Sequence, residues 1–191
     1  YRIATGHNAN TQAAAACYFA SQFATERIQG RPFGIKNAER IPIIKHEDVR
    51  RMLLDMKAHI EGIRAMVFKA FYYLDIQANS SDRSRAGRFG ELAEILTPMV
   101  KCYGSETCLG IISQAIQILG GVGYTQEYPV EQYLRDSKIL SIWEGTSFIH
   151  GSDLVGRKMR MKEGSSFANW MATIKEFIDA NRNAPGFEKE M

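Results

Sequence analysis

One carboxylate interrupts an otherwise apolar run. Glu144 stands between Trp143 and Gly145 in SKILSIWEGTSFIHGSDL, and its position supports two readings. In the first turn of a helix, a glutamate meets unpaired backbone N–H groups and the positive end of the helix dipole. In a poorly solvated pocket it is a general base, with its proton affinity raised because burial disfavours the charged form. Gly120, Gly121 and Gly123 in GGVGYTQEYP suggest a phosphate loop. A dinucleotide fingerprint, however, needs a strand before it and a further glycine where Gln126 stands. A helix C-terminus accounts for these glycines, and free N–H groups in such a turn can still meet a phosphate or an adenine edge.

The remaining reactive side chains point to structure. His7, His46, His59 and His150 have no metal-ligand spacing among themselves or with Cys17, Cys102 and Cys108, and are expected at the surface or at helix caps. Neither Ser147 nor Cys102 lies in a nucleophile signature. Arg135 and Asp136 are neighbours in sequence, so they face different directions and are expected in separate ion pairs.

These residues must be positioned by helices. From about Asn8 to Gln29, Ala13, Ala16, Ala20 and Ala24 make a small-residue face suited to close packing. The GRPFG stretch ends it. Apolar residues then recur at three- and four-residue spacing from Glu47 to Ala78, and again from Phe89 to Leu119 with Pro98 and Gly104 as candidate kinks. NSSDRSRAG reads as the polar linker between these two long antiparallel members. A shorter helix is expected from Val130 to Ile142, and another starting at Thr146 or Ser147, whose hydroxyls suit an N-cap. A last amphipathic helix carries Phe167, Trp170, Met171, Ile174, Phe177 and Ile178. No strand alternation appears, so the expected fold class is all-α, a bundle of long antiparallel helices, four to six in number.

Composition excludes several classes. A net charge of +3 from 24 basic and 21 acidic side chains is too small an excess for a nucleic-acid partner, and no basic block accompanies it. No apolar run reaches the ~18 residues of a membrane span, and no signal peptide is evident. Three cysteines in apolar helical settings read as reduced core thiols of a cytoplasmic protein. A start at Tyr1, already near a helical pattern, suggests a piece of a longer chain.

The string QILGGVGYTQEYPVEQYLRDSKILSIWEGTS, residues 117–147, resembles the C-terminal signature of the acyl-CoA dehydrogenase family of flavoproteins. Paired glycines after a glutamine, EYPVE, LRD and an aromatic-Glu-Gly-Thr-Ser element occur in order. The likeness extends more loosely over residues 2–159. It implies that residues 1–160 are the C-terminal helical domain, and that 161–191 are a linker and extra helix beginning a C-terminal extension. It also implies FAD as cofactor, an acyl-CoA thioester as substrate, an electron acceptor for the flavin, and a homo-oligomer whose FAD site is shared between subunits.

The resemblance gives Glu144 the role of the base that removes the α-proton. Its backbone N–H would help stabilise charge developing on the thioester carbonyl. Thr146 is implied as a flavin contact, and Gln117 and Gly121 as adenine-side contacts to a neighbouring subunit's FAD. Phe33 matches a Phe-Gly turn beside the same cofactor, and either Arg27 or Arg31 is its arginine. Some members carry the base just before an arginine matched here by Arg2, but Tyr1 occupies that position and cannot serve. Phe148 stands where the family often has a polar flavin contact. The chain alone is expected to be inactive. An alternative is a non-catalytic helical oligomerisation module that retains the signature.

Overall fold

The computed structural model describes residues 1–184. Three long helices form its body: α1 (Arg2–Glu26), α2 (Glu47–Asn79) and α3 (Arg83–Leu119). Only Ser80–Asp82 separates α2 from α3, so the two run antiparallel, with Tyr73 stacked edge-on against Phe89 and Gln114 donating to Asp55 at 3.0 Å. α1 runs in the same direction as α3. The sequence pattern undercounts here, because α1 is a third long member and begins at Arg2, ahead of the apolar pattern.

Asp82 explains the short linker. Its Oδ1 accepts from the backbone N–H groups of Ser84 and Arg85, at 2.9 and 3.2 Å, satisfying two of the donors that a helix start leaves open. Residues 83–87, read as linker from composition, are therefore helical. Pro98 removes one backbone donor inside α3, yet the helix passes through it without a break. Leu92, Ala93, Ile95, Leu96 and Val100 are buried around it, and packing outweighs the missing bond.

α3 is the central helix. Buried side chains lie on most of its circumference because α1, α2 and the C-terminal helices all pack on it. Ala9, Ala13, Ala16, Ala20 and Ala24 of α1 are fully buried against one section of the core, which includes Met56, Ile60, Cys108 and Ile112. Ile3, Ile63, Val67, Tyr73 and Leu92 fill the other section. Burial pushes the Cys108 thiol up to about 12, and Cys17 and Cys102 are also free.

The closest approach is at Gly6. A Cβ there would lie 2.6 Å from the Val100 carbonyl oxygen, and a Cβ at Gly104 would reach Gly6 Cα at 3.3 Å. Gly6→Val is expected to destabilise the chain by about 1–3 kcal/mol through overpacking against backbone. Gly110→Ala on the open face of α3, where an added Cβ meets nothing within 4 Å, is expected to leave stability equal or slightly higher. Urea unfolding of both variants checks this, and equal midpoints would remove the close crossing from the account.

After α3 come α4 (Gly121–Tyr124), α5 (Val130–Lys138), α6 (Ser147–Ser152) and α7 (Ser165–Asn181), giving seven α-helical segments among the described residues. The helix expected to reach Ile142 tightens at Ile139–Ser141 into a 3₁₀ turn. Lys162, Glu163 and Gly164 all have positive φ and reverse the chain into α7. Ser166 Oγ then donates to Glu91 at 2.8 Å, and Trp170 packs on the second core section. Among the described residues the only extended pairing is an isolated bridge between Ile28 and Pro42, which folds the loop from 27 to 46 back on itself. No described helix is long and apolar enough to cross a membrane.

Candidate functional site

Glu144 is not in the first turn of a helix. α6 begins at Ser147 with Thr146 as its N-cap residue, so Glu144 lies outside the helix, and its backbone is left-handed at φ +58°. Gly145 follows at φ +101°. A non-glycine residue held in this region costs on the order of 1–3 kcal/mol, so the surroundings must enforce it. The hydroxyls expected to cap α6 do not do so. Thr146 makes no side-chain cap bond, and Ser147 Oγ donates instead to the Glu106 carboxylate on α3.

Two buried side chains hold the turn. Lys101 of α3 is completely buried and its Nζ donates to the Gly145 carbonyl. His150 of α6 is 1% exposed, and its Nε2 lies 3.1 Å from the Glu144 carbonyl oxygen. A carbonyl can only accept, so Nε2 carries the proton and Nδ1 is a bare acceptor, buried without a partner among the described residues. The expectation of a surface or capping role fails for His150, because α6 turns its ring inward beneath the Glu144 turn. His46, by contrast, sits at the N-cap position of α2 and uses its ring to bind the Gln29 carbonyl at 2.8 Å.

Burial, reinforced by the nearby Lys101 charge, pushes the His150 pKa below its ordinary value, against the opposing effect of the hydrogen bond to the Glu144 carbonyl; Arg2 lowers it further and Asp153 raises it. The unfolded chain therefore takes up this proton first as pH falls. Stability from this group is complete above about pH 6.5 and declines as pH drops toward the folded pKa, at no more than about 1.4 kcal/mol per pH unit. Thermal unfolding between pH 7.5 and 5.5 should show a shallower decline for His150→Gln than for the parent chain. Identical slopes would contradict the assignment.

The Glu144 carboxylate makes no hydrogen bond or ion pair among the described residues. On either side of it in the chain, Ile139, Ile142, Trp143, Phe148 and Ile149 are all exposed apolar side chains, with Phe148 79% exposed. Arg135 and Asp136 have structural partners within α5: Arg135 pairs with Glu131, and Asp136 accepts from Gln132 at 3.3 Å rather than forming an ion pair.

A second location gathers most of the other candidates. Arg27, Gln117 and Gly121 line one cleft of about 640 Å³ where the end of α1, the start of α2 and the end of α3 meet. Gln29, Gly30, His46 and Asp48 line it too, and pattern reading missed them because they come from a loop and a helix start with no apolar period. Arg27 Nε donates to Gln29 at 3.2 Å, and the guanidinium has no ion pair among the described residues. Arg31 does not line the cleft. Phe33 does not either, and it is 96% exposed. Glu144 and Thr146 are far from this cleft. Lys101 beneath the turn and Gln117 in the cleft are about 24 Å apart along α3 at 1.5 Å per residue.

An all-α domain built on three long helices in this arrangement has known counterparts. Residues 34–159 match the family model described as "Acyl-CoA dehydrogenase, C-terminal domain". A butyryl-CoA dehydrogenase of Syntrophomonas wolfei subsp. wolfei is 36% identical over 189 residues, covering 99% of this chain and 31% of that protein. A 3-methylmercaptopropionyl-CoA dehydrogenase of Ruegeria pomeroyi is 39% identical over 173 residues, covering 91% of this chain and 29% of that protein. The solved Caenorhabditis elegans ACDH-11, in complex with C11-CoA, has the same fold, with a TM-score of 0.82 at 21% identity over 99% of this chain and 30% of that one. The chain belongs to the acyl-CoA dehydrogenase family and corresponds to its C-terminal domain. It spans about a third of the length of the curated relatives it matches.

Proposed function

We propose that this chain is the C-terminal domain of an FAD-dependent acyl-CoA dehydrogenase, in which Glu144 takes the α-proton of an acyl-CoA thioester. The α C–H electron pair becomes the new double bond, the β-hydrogen leaves as hydride, and the product is the 2,3-enoyl-CoA. The Glu144 turn carries this reading. It presents a carboxylate without a partner among the described residues, on backbone held in an unfavourable conformation, in a stretch of chain whose Trp143 and Phe148 side chains are exposed.

The physical logic follows from the acid being removed. A thioester α-carbon is a weak acid, so its base works best where water is excluded and proton affinity is raised. The exposed apolar side chains around Glu144 are the wall of such a pocket, to be closed by substrate and by the rest of the enzyme. Bound FAD would supply the hydride acceptor.

The cleft suits one end of that cofactor. Its volume lies within the range of roughly 300–1,000 Å³ usual for cofactor and ligand pockets. Arg27 brings a cation without an ion pair among the described residues, and Gln117 a carboxamide. On this reading Arg27, Gln117 and Gly121 hold the adenine side of a neighbouring subunit's FAD, with Phe33 beside it. Thr146 touches the FAD that Glu144 serves. The enzyme is then a homo-oligomer that passes its electrons to an external acceptor. Residues 1–160 form the domain proper and 161–191 open a C-terminal extension, of which 185–191 lie outside the described residues.

Anaerobic titration of the full-length protein with a panel of acyl-CoA thioesters tests the proposal. Bleaching of a yellow preparation by at least one thioester is expected. A colourless preparation, or a yellow one that no thioester bleaches, would favour the non-catalytic helical module instead.

A further inference from the structure

We propose that Lys101 is a positioning residue for the Glu144 turn, acting with His150: two buried donors grip two successive main-chain carbonyls and hold the positive-φ Glu144–Gly145 turn in place. The inference rests on the reading of Glu144 as the base.

Lys101 is not explained by folding. It is fully buried in the middle of α3 and, among the described residues, no carboxylate lies within ion-pair distance of its Nζ. Taking an ammonium out of water is costly, and an apolar side chain of similar volume at such a site usually leaves a fold as stable or more so. Desolvation accordingly pulls the Lys101 pKa below its ordinary value. Its Nζ donates to the carbonyl of Gly145, the residue after Glu144.

The second grip is independent of the first. His150 comes from α6, and its ring meets the carbonyl of Glu144 itself. Each peptide unit is planar, so fixing these two carbonyls fixes the peptide planes on either side of Gly145, and with them its φ and ψ and the plane in which the chain leaves Glu144. Gly145 is required by the same arrangement, because a Cβ there would lie 3.1 Å from His150 Nε2 on backbone at φ +101°. One grip comes from α3 and the other from α6, so the turn is tied to the central helix as well as to its own. Each donor also polarises the peptide it holds, strengthening the N–H on the other side of that peptide.

The test uses the full-length enzyme. Lys101→Met keeps the side-chain length and removes the donor. It is expected to slow flavin reduction at saturating acyl-CoA by about 10²-fold, the usual consequence of a reacting group displaced by an ångström, with thioester affinity little changed. Amide hydrogen exchange at Trp143 and His150, which flank the turn, is expected to quicken while the amides of α2 stay as they were. His150→Leu should behave likewise, and His150→Gln should recover much of the rate because its carboxamide N–H can replace Nε2–H.

Flavin reduction and turn exchange at parental values in Lys101→Met would overturn the proposal. Glu144→Gln, measured alongside, separates the two failures. A slow Glu144→Gln with a fast Lys101→Met removes only the grip, whereas a fast Glu144→Gln removes Glu144 as the base, on which the grip's purpose rests. If Lys101→Met does not fold, the His150 pair decides. A slow Leu variant with a fast Gln variant supports the proposal, and equal rates overturn it.

Discussion

Replacing Glu144 by glutamine in the full-length enzyme is expected to slow flavin reduction by acyl-CoA by on the order of 10²–10⁴-fold, the usual cost of losing a positioned general base. Glutamine keeps the size of the side chain and the backbone N–H, so FAD content and thioester affinity should stay close to the parent's. The two carbonyls that hold the turn belong to the main chain, and they keep their Lys101 and His150 donors in the variant. The carboxylate itself has no partner among the described residues, so removing its charge breaks no internal contact there. A cap residue would behave differently. If Glu144 served a helix start, the substitution would cost about 1 kcal/mol of stability and leave turnover intact. Stopped-flow reduction together with thermal unfolding distinguishes the outcomes. Slow reduction with an unchanged midpoint supports the base, and parental reduction with a lowered midpoint sinks it.

The helices were legible where burial is periodic. In α2 the apolar spacing predicted the element to within a residue, because one face of a long helix meets the core and the other meets water. The pattern failed where something other than burial sets the boundary. Asp82 starts α3 with two hydrogen bonds, and α1 begins at Arg2 before its small-residue face becomes regular.

At the site, sequence singled out Glu144 but not what holds it. Lys101 gave a signal that could have been read. It is a charged residue in register with Thr97, Gly104, Ser105 and Cys108 on a helix face that is otherwise apolar or small, where a cation is costly unless it has a task. His150 gave none. Its burial depends on how α6 folds back beneath a turn whose left-handed backbone no local pattern announces. The cleft is similar: Arg27 and Gln117 lie far apart in sequence, and only the packing of α1 on α3 brings them to one place.

The separation of the cleft from the Glu144 turn leads to the second large effect, which mixing of two defective subunits should reveal. Gly121→Trp is chosen to obstruct the cleft, since Gly121 lines it and an added Cβ there meets nothing within 4 Å. Oligomers of Gly121→Trp alone are expected to lose FAD, and oligomers of Glu144→Gln alone to keep FAD but stay inactive. If the cleft of one subunit completes the site of its neighbour, a mixed pair contains one site with an intact Glu144 facing an intact cleft, and one site with neither. Co-expression should therefore restore activity that both parents lack, up to roughly half the parental turnover for a pair that exchanges clefts. If each subunit instead uses its own cleft, every site in the mixture carries one defect or the other, and activity stays at the level of the parents. The restored fraction reads the geometry directly. α3 is one continuous helix that carries Lys101 under the turn and Gln117 in the cleft, about 24 Å apart, so the turn and the cleft are held at fixed separation on one element. Absence of recovery in purified mixed oligomers would assign the turn and the cleft of each site to the same subunit and remove the shared site from the proposal.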